Sequence, residues 1–179
     1  MVDPMINSIA ENIIRKMMED ILIPVEVSGR HVHLSQEDIN ALFGHSSVLT
    51  KKKDLSQPGQ FQYQERVTLI SSKGVLEKVA ILGPSRDKTQ VELSKTDAIK
   101  LGIDPPVRES GDLKGSGDIF IASERAVIKA KESVILAKRH IHMTHQDSIR
   151  FQVTDKQIVK VKLFTERPVI LEHIVVRVN

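Results

Sequence analysis

The chain has 179 residues, of which 40% are hydrophobic and 27% charged, with a net charge of +3 and no cysteine. That length can bury a real core in one ordinary domain or two small ones. The empty cysteine count excludes disulfides, iron–sulfur clusters, thiolate zinc sites and an acyl-cysteine intermediate. No apolar run approaches the roughly 18–20 residues of a membrane span, and the N-terminus lacks the basic-then-apolar order of a secretory leader. With five Phe, one Tyr and no Trp, the chain is poor in the rings on which single-stranded nucleic acids stack. The expectation is a cytoplasmic protein that engages neither membrane nor nucleic acid.

Residues 5–22 form the first element, an amphipathic helix. Ile6, Ile9, Ile13 and Met17 recur at helical spacing, Ile14, Met18 and Ile21 widen the stripe, and Pro24 ends it. Such a helix either packs on its own domain or docks into a partner's groove. After Pro24 the runs become short and β-branched: 25–27, 66–70, 75–82, 119–122, 126–130, 133–137, 158–164 and 169–178. Gly, Pro, Asp and Ser separate many of them, as in Ser56-Gln57-Pro58-Gly59 and Ser72-Lys73-Gly74. This pattern predicts a mainly β protein, barrel or sandwich. The basic run Lys51-Lys52-Lys53 reads as a solvated face or as a dock for an anionic substrate.

An internal repeat organises the rest. Gly29 to Asp38 aligns without gaps to Lys138 to Asp147, with Arg30/Arg139, His31/His140, His33/His142 and Asp38/Asp147 identical. Downstream, Val75 to Val79 resembles Ile170 to Ile174. A degenerate third copy, Gln90 to Asp97, matches His31 to Asp38 and puts Glu92 at the place of the second histidine. Each copy reads as a strand, a hydroxyl cap (Ser35, Ser94, Thr144) and a helix with an Asp in its first turn. The repeat predicts two related β-barrels with short capped helices. The first covers residues 30–137. The second covers 138–179, and because it has few strands of its own it is completed by a strand within 23–29.

In a strand, residues i and i+2 share a face. His31 with His33, and His140 with His142, are therefore two pairs of imidazoles with common aim, a donor type suited to zinc, copper, iron or nickel. One His-x-His says little, but two inside one repeated motif, with a carboxylate in the third copy, point to metal. Five ligands exceed one tetrahedral ion, so two metals are expected: one at His31, His33 and Glu92, the other begun by His140 and His142. His45, His145 and His173 lack partners at ligand spacing and read as surface residues. Arg30 and Arg139 read first as structural. Arg86, in the turn Gly83-Pro84-Ser85-Arg86, can lean over the site and hold a phosphate or carboxylate. The Gly111–Gly117 segment reads as a plain loop rather than a phosphate cradle.

These residues resemble the PduL-type phosphate acyltransferases, the phosphate propanoyltransferases of bacterial microcompartments. The resemblance is carried by residues 30–35, Gln57 to Gln60, Gly83 to Arg86 with Gln90 to Glu92, residues 96–98, 101–103, Pro105 to Arg108, Ser110 to Leu113 and 137–143. It implies two β-barrels around a di-zinc centre at which a short-chain acyl-CoA, propanoyl-CoA above all, and phosphate are interconverted with acyl phosphate and coenzyme A. Carried over by position, His31, His33 and Glu92 bind one zinc, His140 and His142 the other, and Arg86 holds phosphate as the catalytic residue. It further implies that the helix of residues 5–22 is an encapsulation peptide for shell or core proteins, placing the chain in a microcompartment lumen, in a homo-oligomer or alone. Family members continue past the equivalent of Ile174 to Val178 into a Met-His-Ile-Asp-like segment carrying a third ligand of the second zinc. This sequence ends at Asn179, so the second barrel is expected to be C-terminally truncated and the second zinc to have only His140 and His142. Two rival readings are a cupin-like metal enzyme using His31, His33 and Glu37, and a catalytically silent scaffold recruited through its helix.

Overall fold

The structure, a computed structural model, describes residues 4–19, 22–23, 25, 28–45 and 47–178. It is mainly β. Helix α1 (Pro4–Glu19) comes first; of the expected helix 5–22, Asp20 and Ile21 and the side chains of Met17 and Met18 lie outside the described residues, and Leu22 is not helical. Ile6, Ile9, Ile13 and Ile14 are each more than half exposed, so the described part of the apolar stripe is not packed on the domain. Among the described residues no helix is long and apolar enough to cross a membrane.

The first sheet contains β1 (His31–Ser35), β2 (Lys51–Asp54), β3 (Phe61–Ile70), β4 (Val75–Arg86), β5 (Gln90–Leu93), β6 (Val107–Arg108), β7 (Gly117–Ala122) and β8 (Val127–Ala137). Its pairings run β3-β4-β1-β5-β8, and β7 pairs with both β8 and β3, so they close into a ring, with β2 and β6 added outside. The core fills this ring: Val32, Leu34, Val67, Leu69, Ile81, Val91 and Ile121 are almost wholly buried. The two runs expected at 126–130 and 133–137 are one continuous strand, bent at Glu132, whose φ is +44°. The lysine run is the exposed edge strand β2, with Lys51 paired to Asp54.

Beyond the ring come β9 (His140–Met143), β10 (Ile158–Leu163) and β11 (Val169–Val178), a separate sheet in the order β10-β11-β9. The strand expected within 23–29 to complete it falls partly on Pro24, Glu26 and Val27, outside the described residues; Val25, Ser28 and Gly29 are not in a strand.

The repeat is legible in the backbone. Strands β1, β5 and β9 lead into α2 (Gln36–Phe43), α3 (Lys95–Leu101) and α4 (His145–Arg150). Each cap is the expected one: the side chains of Ser35, Ser94 and Thr144 accept from the backbone N–H of Asp38, Asp97 and Asp147. β1 runs parallel to β4 with His31 opposite Ala80, and β9 runs parallel to β11 with His140 opposite Val175; Ala80 and Val175 each follow by one residue the aligned segments 75–79 and 170–174. Each partner strand carries a bulge where two residues oppose one. At equivalent places in the two bulges, Lys78 and His173 both take φ +56°.

Candidate functional site

On β1, Val32 and Leu34 enter the core, so His31 and His33 occupy the opposite face. They are nevertheless buried, as is Glu92 on the neighbouring β5. The two strands pair antiparallel with His31 opposite Glu92 and His33 opposite Gln90. Their imidazoles stand edge to face, centroids 5.1 Å apart, and the candidate ligand atoms of His31, His33 and Glu92 all lie within 4.8 Å of one another.

The surrounding bonds decide which ring atoms are available. His31 Nδ1 lies 2.9 Å from the Gly29 carbonyl, which can only accept, so Nδ1 carries a proton and Nε2 is the ring atom that faces Glu92, 3.5 Å away. Arg86 Nη2 donates to His33 Nε2 at 2.9 Å, which is possible only if that nitrogen is unprotonated. Burial first, then the charges of Arg86 and His31, push the His33 pKa down to about 2. Two imidazoles and a carboxylate form the donor set of a borderline divalent ion with an open position, and the residues fit such an ion once Arg86 turns away from His33 Nε2.

Around this group the structure assembles residues that local sequence reasoning did not single out. Gln90, 1% exposed, donates to Glu92 Oε1 and, at 2.8 Å, to Ser110 Oγ, while its own carbonyl accepts from Gly111 N at 2.8 Å. Arg86 Nη1 donates to the same Ser110 hydroxyl at 2.9 Å. Burial pulls the Arg86 pKa down, Glu92 opposes that, and Arg177 adds to it. Arg177 stands opposite His142 in the β9–β11 pairing, and its guanidinium reaches the Ser110 carbonyl at 3.5 Å. Gln90 had a signal, since it occupies the slot of His31 and His140 in the third copy. Ser110 arrives from a loop and Arg177 from a different sheet, and nothing local in the sequence announces either.

The second pair repeats the first. His140 Nδ1 lies 2.7 Å from the Lys138 carbonyl, in the place of Gly29, and its Nε2 meets His142 Nε2 at 3.1 Å. The rings are again edge to face, 4.8 Å between centroids. Burial, then His140 and Arg177, lower the His142 pKa to about 4, and Glu92 acts against them. Glu92 and Arg177 therefore act on both parts of the site. Among the described residues, no third His, Asp or Glu joins this pair in a metal-holding group.

Other expectations are placed as follows. His45, His145 and His173 are exposed. Glu37, the carboxylate of the cupin-like reading, is exposed on α2 and is not in the buried group, whose carboxylate is Glu92. Arg30 pairs with Asp97 at 2.8 Å. The segment after Ser110 is a loop, and its Gly111 N–H is spent on Gln90.

A family profile for phosphate propanoyltransferase matches residues 24–179. A phosphate propanoyltransferase of Alkaliphilus metalliredigens is 52% identical over 183 aligned residues, covering all of this chain and 86% of that protein. One from Clostridioides difficile is 46% identical over 98% of this chain and 84% of its own length. One from Thermotoga maritima is 48% identical over 88% and 75%.

Proposed function

The chain belongs to the phosphate propanoyltransferase family, and on that premise we propose that it interconverts propanoyl-CoA and phosphate with propanoyl phosphate and coenzyme A. One observation carries the assignment to this site: a half-buried arginine, Arg86, is held by Ser110 and His33 at the edge of a buried His-His-Glu group. A phosphate oxygen attacks the thioester carbonyl carbon, the C–S bond breaks, and the proton given up by phosphate passes to the departing thiolate. With no cysteine in this sequence, no acyl-cysteine relay intervenes, and direct attack of phosphate is the simplest scheme.

Arg86 is the residue suited to grip phosphate, because its planar fork offers two parallel N–H donors. Ser110 and Gln90 fix the direction of that fork and of the Glu92 carboxylate. Arg177 supplies a second positive charge for the phosphate anion. His31, His33 and Glu92 would hold one divalent ion, which we take to be zinc, and His140 with His142 a second; the chemistry supplied there is Lewis-acid stabilisation of the leaving thiolate and orientation of phosphate.

We also read the closed ring of 30–137 as the first β-barrel and the sheet of 138–179 as part of a second. The exposed isoleucine stripe of α1 supports docking to shell or core proteins of a microcompartment, in whose lumen the enzyme would act. The test is release of coenzyme A from propanoyl-CoA by the metal-loaded protein, with and without phosphate, followed by detection of the acyl phosphate. Release that depends on both phosphate and Arg86 is expected; release indifferent to phosphate overturns the reading. Helix docking is tested by capture of shell proteins on residues 1–22, which Ile9→Glu and Ile13→Glu should abolish.

A further inference from the structure

The β1–β5 pair has an internal symmetry that the metal-type residues alone do not explain. Its register, His31 opposite Glu92, Val32 opposite Val91 and His33 opposite Gln90, is that of two copies of one motif related by a two-fold axis through Val32 and Val91. Under that axis the residue before one strand faces the capped helix after the other. Arg30 precedes β1, and Thr89, its counterpart in the repeat, precedes β5.

Both residues use this geometry. Arg30 Nη1 donates to Asp97 Oδ1 at 2.8 Å, at the start of α3. The Thr89 hydroxyl donates to Asp38 Oδ2, at the start of α2, and accepts from Ser35 N at 2.9 Å. Asp38 and Asp97 are equivalent residues of the repeat. The copy that carries His140 and His142 provides the contrast: β9 has no such antiparallel partner among the described residues, and its Asp147 closes a capping box, accepting from the backbone Thr144 N at 3.2 Å as well as from the Thr144 hydroxyl. Where two copies pair, the carboxylate takes a donor from the residue before the neighbouring strand in place of its own cap's backbone N–H, while Asp97 keeps a bond from the Ser94 hydroxyl at 2.9 Å.

We propose that Thr89 with Asp38, and Arg30 with Asp97, are reciprocal clamps that hold β1 and β5 in the register at which His31, His33 and Glu92 converge. They are positioning residues. Thr89 is the stronger of the two, being buried and bonded to both the cap backbone and the helix, next to the β1 register shift between His33 and Ser35. Arg30 is partly exposed, so water competes for its pair. The link to chemistry rests on the reading of His31, His33 and Glu92 as a metal centre; the link to register does not.

Two measurements separate these. Co2+ is titrated into the metal-free full chain by visible absorption, and hydrogen exchange is followed at the β1 and β5 amides. Thr89→Val, close in shape but without the hydroxyl, should weaken Co2+ binding by about 10- to 100-fold, the range for loss of an orienting partner, alter the Co2+ spectrum and speed exchange between β1 and β5. Thr89→Ser should restore all three, and Arg30→Ala should act in the same direction by a few-fold. Ser71→Ala, which removes bonds from the β3–β4 turn to Leu101 and Gly74, is the structural control: it should lower the Tm with Co2+ affinity unchanged. If wild-type protein shows no Co2+ coordination spectrum, the metal reading falls, and exchange still judges the clamps. If Thr89→Val exchanges and binds like wild type, or merely shifts the Tm as Ser71→Ala does, the clamps are refuted.

Discussion

Replacing Arg86 by alanine should harm function far more than stability, and the structure gives the magnitude of each. The guanidinium is half-buried, its partners are a hydroxyl and an imidazole rather than a carboxylate, and both burial and Arg177 work against its charge. Truncation loses two hydrogen bonds of about 1 kcal/mol each and leaves His33 Nε2 without a donor, but it also removes a desolvated cation that is poorly compensated. The two effects oppose one another, so the net change should stay within about 1 kcal/mol, or about 2–4 °C in Tm for a chain of this size. The catalytic cost is one-sided. A charge-assisted hydrogen bond to phosphate is worth about 1.5–3 kcal/mol, or roughly 10- to 150-fold in kcat/KM for phosphate at 1.4 kcal/mol per decade. Coenzyme A release measured against phosphate concentration gives the second number and thermal unfolding gives the first. Metal content should be unchanged, and Arg86→Lys should recover part of the loss by keeping charge without the fork. Wild-type phosphate kinetics in the alanine variant would refute the assignment, and a Tm drop beyond about 8 °C would show that Arg86 holds the fold instead.

Glu92→Gln keeps the size and the bond to Gln90 while removing the carboxylate charge, so metal bound per chain after dialysis should fall; wild-type content would exclude Glu92 as a ligand. Gly74→Ala would set a Cβ 2.3 Å from the Lys100 carbonyl oxygen, a backbone atom that cannot swing aside. A loss of about 1–3 kcal/mol is expected, with kcat/KM per folded molecule retained because Gly74 lies at the opposite end of β4 from Arg86; an unchanged Tm counts against the packing described. The Asp147 carboxyl is held below its ordinary pKa by the Thr144 hydroxyl and backbone. A carboxyl with a lowered folded pKa contributes stability above its unfolded value near 3.8, and that contribution disappears as pH falls through the folded value. Carbon NMR should show Asp147 titrating late on acidification, and Thr144→Ala should return it toward the ordinary range; no movement in that variant would mean the capping box is not the cause.

The sequence made the repeat legible because the repeat is local. Each copy is a strand, a hydroxyl and a helix, and the three caps at Ser35, Ser94 and Thr144 follow from chemistry contained within about ten residues. His31, His33 and Glu92 came with it, since a shared slot in an aligned motif becomes a shared face once two copies pair. Ser110 was invisible as a site residue because a loop serine has no periodicity, and Arg177 because its relevance depends on β11 pairing with β9 and bringing a guanidinium to the Ser110 carbonyl. A barrel was expected over 30–137, but its strand order was beyond reach: the ring is closed by β7 pairing with both β3 and β8, a long-range choice that alternation along any one strand does not record. Asp38 and Asp97 were placed correctly in the first turn of their helices, yet their partners are Thr89 and Arg30, which only the pairing of copies brings near.

The same pairing explains why this face can tolerate groups that fold poorly by themselves. His33 is kept neutral by burial and Arg86 is kept charged in spite of it, a juxtaposition that favours neither residue in isolation. What holds them is the other side of the strands: Val32, Leu34, Val91 and Leu93 are buried in the core, and at roughly 1.5–3 kcal/mol for each fully buried side chain they fix β1 and β5 firmly enough to carry strained polar neighbours. A substitution such as Leu34→Ala should therefore not stop at the 2–5 kcal/mol typical of a core cavity. By loosening the strand that carries His31 and His33, it should also weaken metal binding in molecules that remain folded, an effect that an equally buried residue away from β1 and β5, such as Leu76, should not show.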